Sequence, residues 1–203
     1  MCLDAIKLVG VGHQKPLEIP AQVKLYRNIF KDAQYTDMIL THTNTGKQIK
    51  ALRGVLASRS PYLKALITSA SMQQAQFPIV VNIECDVRFE VLLGVIEFLY
   101  CSFVRFKPAD LVQAYILSND LQIPELADFC VTRFKNEVKS NNVLHYYGQA
   151  FESNCTKLLG ACKQFIVDNF KEVFLLPDLH IVQKEDLIEI CRTIARNSRN
   201  GKQ

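Results

Sequence analysis

The chain has 203 residues, 49% hydrophobic and 22% charged, a balance that excludes an intrinsically disordered chain as the default. Its longest apolar run, Val91 to Val104, is interrupted by Glu97 and is too short to cross a bilayer as a helix. The formal charge of +4 sits at one end, in Arg192, Arg196, Arg199 and Lys202; the other 20 basic side chains balance 20 acidic ones, and Trp is absent, so no basic, aromatic-studded face for nucleic acid is expected.

Residues 1 to 20 contain a short apolar segment, AIKLVGVG, with strand character at Ile6, Leu8 and Val11. Gly10 and Gly12 run into Lys15-Pro16 instead of opening a helix, which argues against a phosphate loop. No basic segment, apolar core and small-residue cleavage site follow one another here, so no secretory signal is expected. From Ala21 to Ala33 the spacing predicts a helix. Val23, Tyr26 and Phe30 form one row and Leu25 and Ile29 the next, while Lys24, Arg27, Asn28 and Lys31 lie opposite. That apolar arc spans roughly 160°, against the ~100° a one-sided helix needs. Contact with a partner chain explains the surplus, and so does a longer contact within the chain.

Met38-Ile39-Leu40 and Ile49 with Ala51 flank the polar turn Thr43-Asn44-Thr45-Gly46, a β-hairpin pattern. Leu52, Val55, Leu56 and Arg59 then take helical spacing. Ser60-Pro61 ends that helix and starts another, whose apolar face is Tyr62, Leu63, Leu66 and Ile67. Residues 68 to 78 read as a polar loop. Ile79-Val80-Val81-Asn82-Ile83 reads as a buried strand, and Asp86 as the cap of the next helix. In that helix Phe89, Leu92, Leu93, Ile96, Leu99 and Tyr100 make one face and Val91, Val95 and Phe98 fill another, which predicts the central core helix. Lys107-Pro108 and Pro124 open two more helices, with Leu111, Val112, Tyr115 and Ile116, then Leu126, Phe129, Cys130 and Phe134, inward.

Ser140-Asn141-Asn142 punctuates the chain. Beyond it only helices are predicted, with faces at Leu144, Tyr147, Ala150 and Phe151, at Leu158, Leu159, Cys162, Phe165, Ile166 and Phe170, and at Leu187, Ile190, Cys191 and Ile194. Seven cysteines, odd in number, scattered and without a CxxC pair, predict reduced thiols in the cytoplasm or nucleus and no metal site. No GxSxG elbow, Walker loop, HExxH helix or kinase signature occurs, so neither enzymatic chemistry nor a cofactor is expected. Of the histidines, His42 reads as solvated beside a turn, His145 and His180 as packed. Glu185, Asp186 and Glu189 read as the wet face of a helix.

Asp37-Met38-Ile39-Leu40 followed by Ile49-Lys50-Ala51-Leu52-Arg53-Gly54-Val55-Leu56-Ala57-Ser58-Arg59-Ser60 resembles the ordered motif of the BTB/POZ domain, with Leu52 where that family usually has His. As a Leu, residue 52 is expected in the core. The likeness continues loosely from residue 21 to about 138. Asn142-Val143-Leu144, Ala150, Phe165-Ile166 and Asn169-Phe170-Lys171-Glu172-Val173 resemble the BACK region that often follows. The fold implied is α+β, a small sheet flanked by helical hairpins, followed by an all-α BACK-like segment. The chain divides accordingly into an N-terminal extension at 1–20, a BTB/POZ-like domain at 21–139, a BACK-like region at 140–196 and a basic polar tail at 197–203.

The resemblance implies a homodimer in which Val23, Leu25, Tyr26, Ile29 and Phe30 pack across a two-fold axis. Asp37 and Arg53 would line a charged pocket there, and the N-terminal strand would exchange between partners. It also implies a protein-interaction adaptor, either presenting an unknown cargo to a cullin-type ubiquitin ligase or scaffolding a transcriptional or cytoskeletal assembly. Met72-Gln73-Gln74 is the nearest match to the cullin-contacting pattern of a hydrophobic residue, any residue and Glu, with Met72 and Gln74 as the contact positions and Gln in place of Glu.

Overall fold

The computed structural model describes residues 21–74 and 77–200; the expected N-terminal strand and its exchange lie outside them. Helix α1 (Ala21–Asp32) leads into strands β1 (Met38–His42) and β2 (Gln48–Ala51), the expected hairpin. Met38 stands opposite Ala51 and Leu40 opposite Ile49, and all four turn into the core. Gly46, at φ +67°, supplies the left-handed residue this reversal needs. Strand β3 (Ile79–Ile83) lies parallel to β1 on its other side, giving the order β2-β1-β3. The β-branched run predicts burial, but β3 is an edge strand with one buried face: Ile79, Val81 and Ile83 point inward, Val80 and Asn82 outward.

Helices α2 (Arg53–Arg59) and α3 (Pro61–Gln73) meet at Ser60. Its buried hydroxyl accepts from the Leu63 N–H at 3.0 Å and donates to the Leu121 carbonyl at 2.6 Å. One oxygen thus caps α3 and ties it to the turn between α5 (Leu111–Asp120) and α6 (Pro124–Glu137). The loop expected at 68–78 is shorter than its composition suggests, because α3 continues to Gln73. Thr68 and Ser71 donate back to the carbonyls of Lys64 and Ile67, so their hydroxyls do not compete with the helix ladder. On α3 Leu63 and Ile67 are buried, while Tyr62 is exposed.

Helix α4 (Phe89–Cys101) is the core helix its composition predicts; only the rim positions Glu90, Leu93 and Glu97, and in part Phe89, meet solvent. Arg88, not Asp86, occupies the N-cap position, because Val87 turns inward between them and leaves Asp86 outside the first turn. A 3-10 turn at Pro108–Asp110 precedes α5. The helices α7 (Val143–Glu152), α8 (Thr156–Asp168), α9 (Phe170–Val173) and α10 (Lys184–Asn200) complete the chain, with a second 3-10 turn at Pro177–Ile181 before the last. One hydrophobic core runs unbroken from Met38 to Ile190, so α7 and α8 extend the packing of α5 and α6. Helix α10 runs on through Asn200, four residues into the segment read as a polar tail.

Three other expectations are corrected by packing. His42 is buried, its Nδ1 2.8 Å from the Thr45 hydroxyl and its ring edge-on to Phe89, because strand alternation sends it inward. His145 and His180 are exposed. Cys191 is exposed as well, since α10 presents Asp186, Leu187, Ile190, Thr193 and Ile194 to the body of the protein. Burial pushes the thiols of Cys130 and Cys162 up to about 12, which keeps them protonated and unreactive near neutral pH.

Asp186 is not part of a wet face. It accepts from the Tyr147 hydroxyl at 2.5 Å and pairs with Lys163 at 2.5 Å, and Lys163 reaches Glu189 at 2.9 Å. Tyr147 also accepts from the Gln183 N–H at 3.2 Å. This cluster pins α10 to α7 and α8. Burial, then the bond to Asp186, pushes the Tyr147 hydroxyl up to about 12. Burial opposes charge on Asp186 and on Lys163, but their mutual hydrogen bonds outweigh it, holding the carboxyl below and the ammonium above their ordinary values. Asp186 therefore contributes stability that is full above the unfolded carboxyl's pKa and lost as pH falls through its lower folded value. Lys163 and Tyr147 contribute stability that is full below their unfolded pKa values and lost as pH rises through the higher folded ones. Thermal denaturation across pH should show a neutral plateau with falls below about pH 4 and above about pH 10. Asp186→Asn should lower the plateau by about 1–3 kcal/mol and make the acid limb shallower.

Candidate interaction surface

Helix α1 packs on α4, and a quarter turn in its orientation decides what it leaves outside. Its inward row is Val23, Arg27 and Phe30, all half-buried. Phe30 meets the Tyr100 ring at 5.0 Å, and Arg27 Nε reaches Glu97 at 2.5 Å, with both charged side chains largely shielded. At 100° per residue that row lies roughly 90° from the middle of the apolar arc. Leu25, Tyr26 and Ile29 consequently face solvent at 58%, 49% and 42% exposure, an unpartnered apolar strip. The ion pair explains the rotation: Glu97 sits on an otherwise apolar helix and needs a cation. Arg27 had the spacing to supply it, at i+4 from Val23 and i−3 from Phe30, and that signal was readable beside the charge on α4.

The strip borders an open groove of about 530 Å³ whose walls include Leu25, Ile29, Tyr35 and Leu52. Tyr35 is 84% exposed. Leu52, expected in the core, is only half-buried: its N–H donates to the Tyr100 hydroxyl at 2.6 Å while its side chain forms part of the groove wall. Asp37 and Arg53 are brought together. Asp37 accepts from both the backbone N–H and the Nε of Arg53 at 2.8 Å, anchoring the start of α2 to the start of the sheet. The Arg53 guanidinium also lies 4.8 Å from the Phe77 ring centre.

A sheet bordered by a hairpin of helices, a buried central helix and a capped Ser60 corner span the residues, 26–137, that match the sequence model of the BTB/POZ domain. The chain belongs to the BTB/POZ family. It is also similar to Kelch-like protein 40 from Xenopus laevis, 23% identical over 190 residues, covering 90% of this chain and 30% of that protein. Kelch-like protein 40 from Xenopus tropicalis matches at 22% over the same shares, and Kelch-like protein 40a from Danio rerio at 24% over 144 residues, 71% of this chain and 23% of that protein. The chain thus spans under a third of the length of these relatives.

On this BTB fold the two expected cullin-contact positions differ in kind. Met72, on the last turn of α3, is 83% exposed and free to enter an apolar pocket. Gln74 is not free. Its amide donates to the Val80 carbonyl at 2.7 Å and accepts from the Val80 N–H at 2.8 Å, so it is bound to the rim of β3. Among the described residues no group of His, Cys, Asp and Glu is arranged to hold a metal ion, and no helix is long and apolar enough to cross a membrane. Because Leu52 is half-buried, Leu52→Ala should cost about 1–2 kcal/mol in urea denaturation, below the ~2–5 of a fully buried leucine.

Proposed function

We propose that this BTB protein is a self-associating protein-interaction adaptor, joined to a second copy through α1 and recruiting a cullin-type ubiquitin ligase through the end of α3. The observation that carries the reading is the Leu25, Tyr26 and Ile29 strip on a helix whose other face is already satisfied by α4. Three large apolar side chains in a row next to a groove are the footprint of a protein contact. Val23 and Phe30, also expected at the interface, spend most of their apolar surface inside the chain. The Asp37–Arg53 pair ties the start of α2 to the start of the sheet, next in sequence to Leu52 of the groove wall, and would steady that wall. The likeness of Met72-Gln73-Gln74 to the contact pattern of cullin-binding BTB proteins supports cullin recruitment, with the exposed Met72 as the anchor. Cytoplasmic or nuclear residence belongs to the same proposal and rests on the odd number and scatter of the cysteines. The cargo would bind outside these surfaces, and its chemistry is open to pull-down experiments.

A second reading, a scaffold that oligomerises without a cullin, is favoured by one observation: Gln74, standing where the pattern has Glu, has both amide groups engaged by Val80 and offers no charge. Light scattering at micromolar concentration should give twice the 23.1 kDa chain mass, and Leu25→Asp with Ile29→Asp should return it to the monomer, since buried unpaired charges are strongly unfavourable. A monomeric wild type would remove the self-association reading. Calorimetry against a purified cullin N-terminal fragment separates the two uses. Binding by the wild type that is lost in Met72→Asp supports the adaptor, whereas no heat from a folded, dimeric wild type leaves the scaffold.

A further inference from the structure

We infer that the outer edge of β3 is a second self-association surface and that Gln74 is the latch that closes it against another copy of this chain. The register fixes which backbone groups are involved. Ile79 donates to the Asp37 carbonyl at 3.3 Å and Thr43 donates to the Ile83 carbonyl at 3.1 Å, with β3 aligned residue for residue along β1. Ile79, Val81 and Ile83 therefore turn their backbone groups toward β1, and Val80 and Asn82 turn theirs away from the sheet. Val80 is met there by the Gln74 amide, which both donates and accepts. Two opposed bonds to one residue are what a facing residue of an antiparallel strand supplies. Gln74 acts as a one-residue strand.

Beyond that latch none of the described residues bonds to the edge, and it lacks the usual guards. Asn82 has no partner for its outward backbone groups among the described residues, and Ile79–Ile83 contains neither a charge nor a proline. Val80 and Phe77 present exposed apolar side chains beside it. The occupant these features fit is a second copy. A two-fold axis at Val81 sets Val80 of each chain opposite Asn82 of the other, so both outward residues of both copies gain their pair of bonds. No like charges meet along the joined strands. The wild-type pairing is weak because each copy must first give up its two Gln74 bonds. This surface is separate from the α1 strip, and a chain able to use both would link dimers into longer assemblies.

Sedimentation velocity over a concentration series tests the latch, using Leu25→Asp with Ile29→Asp as background so that α1 contributes nothing. Gln74→Ala in that background should shift self-association to about thirtyfold lower concentration or further, the scale set by four ordinary hydrogen bonds, two in each copy, and stop at a discrete dimer. Adding Asn82→Pro, which deletes an outward N–H that β1 does not use, should return it to monomer. A Gln74→Ala protein that melts cooperatively but associates no more than its background overturns the proposal, as does association that survives Asn82→Pro or that grows into polydisperse aggregates. Hydrogen exchange on the wild type is independent of any variant: the Val80 amide should exchange more slowly than that of Asn82 at low concentration. Equal, fast exchange at both would show that the latch is not formed.

Discussion

Helix α4 is the constraint on which the rest of this structure depends. Buried on most sides, it leaves few places where polar groups reach its neighbours, and these places hold α1 and both ends of α2. Glu97 takes Arg27 of α1. The Tyr100 hydroxyl accepts from Leu52 at the junction of sheet and α2. At the C-terminal end the carbonyls of Phe98 and Leu99 accept from the Arg59 guanidinium at the end of α2, at 3.1 and 2.9 Å. A helix end has unsatisfied carbonyls, and the single Nη1 of Arg59 serves that of Leu99 together with that of Phe98, which also accepts from the Ser102 N–H. Apolar burial supplies the cohesion of the core, and these few polar exits fix the angle at which each neighbour sits on it.

The angle of α1 has the widest consequences. Had the middle of its apolar arc faced α4, Leu25 and Ile29 would be buried and the surface would be polar. Pairing Arg27 with Glu97 instead turns the helix and leaves Leu25, Tyr26 and Ile29 facing solvent. An intramolecular ion pair thus sets which apolar side chains of α1 meet solvent. The cost of shielding two charges is offset by their short, hydrogen-bonded geometry.

Gln74 shows the same coupling between a local bond and a surface property. An uncharged side chain at the end of α3 can satisfy both groups of an edge residue, because a primary amide carries a donor and an acceptor in one plane. A carboxylate could accept from Val80 but could not donate to it. A residue that looks like a weakened member of one recognition pattern is therefore fully employed in closing the rim of the sheet.

Several features were determined by the sequence alone. The hairpin, the Ser60-Pro61 corner, the core helix and the proline-initiated α6 follow from turn residues, caps and apolar spacing, which act within a few residues and need no knowledge of distant partners. The motif from Asp37 to Ser60 carried the family for a similar reason: Asp37, Arg53 and Ser60 have roles set by nearby backbone. Tertiary structure alone decided the rest. The face α1 turns outward depended on Glu97, seventy residues away. Asp186 read as solvated until Tyr147 and Lys163 arrived from two other helices, and Leu52 read as core although it stands at the lip of a groove. Periodicity reports that a residue is apolar or charged and where it lies around its own helix. It does not report which neighbour the helix meets, and burial and hydrogen bonding at these positions are properties of that neighbour.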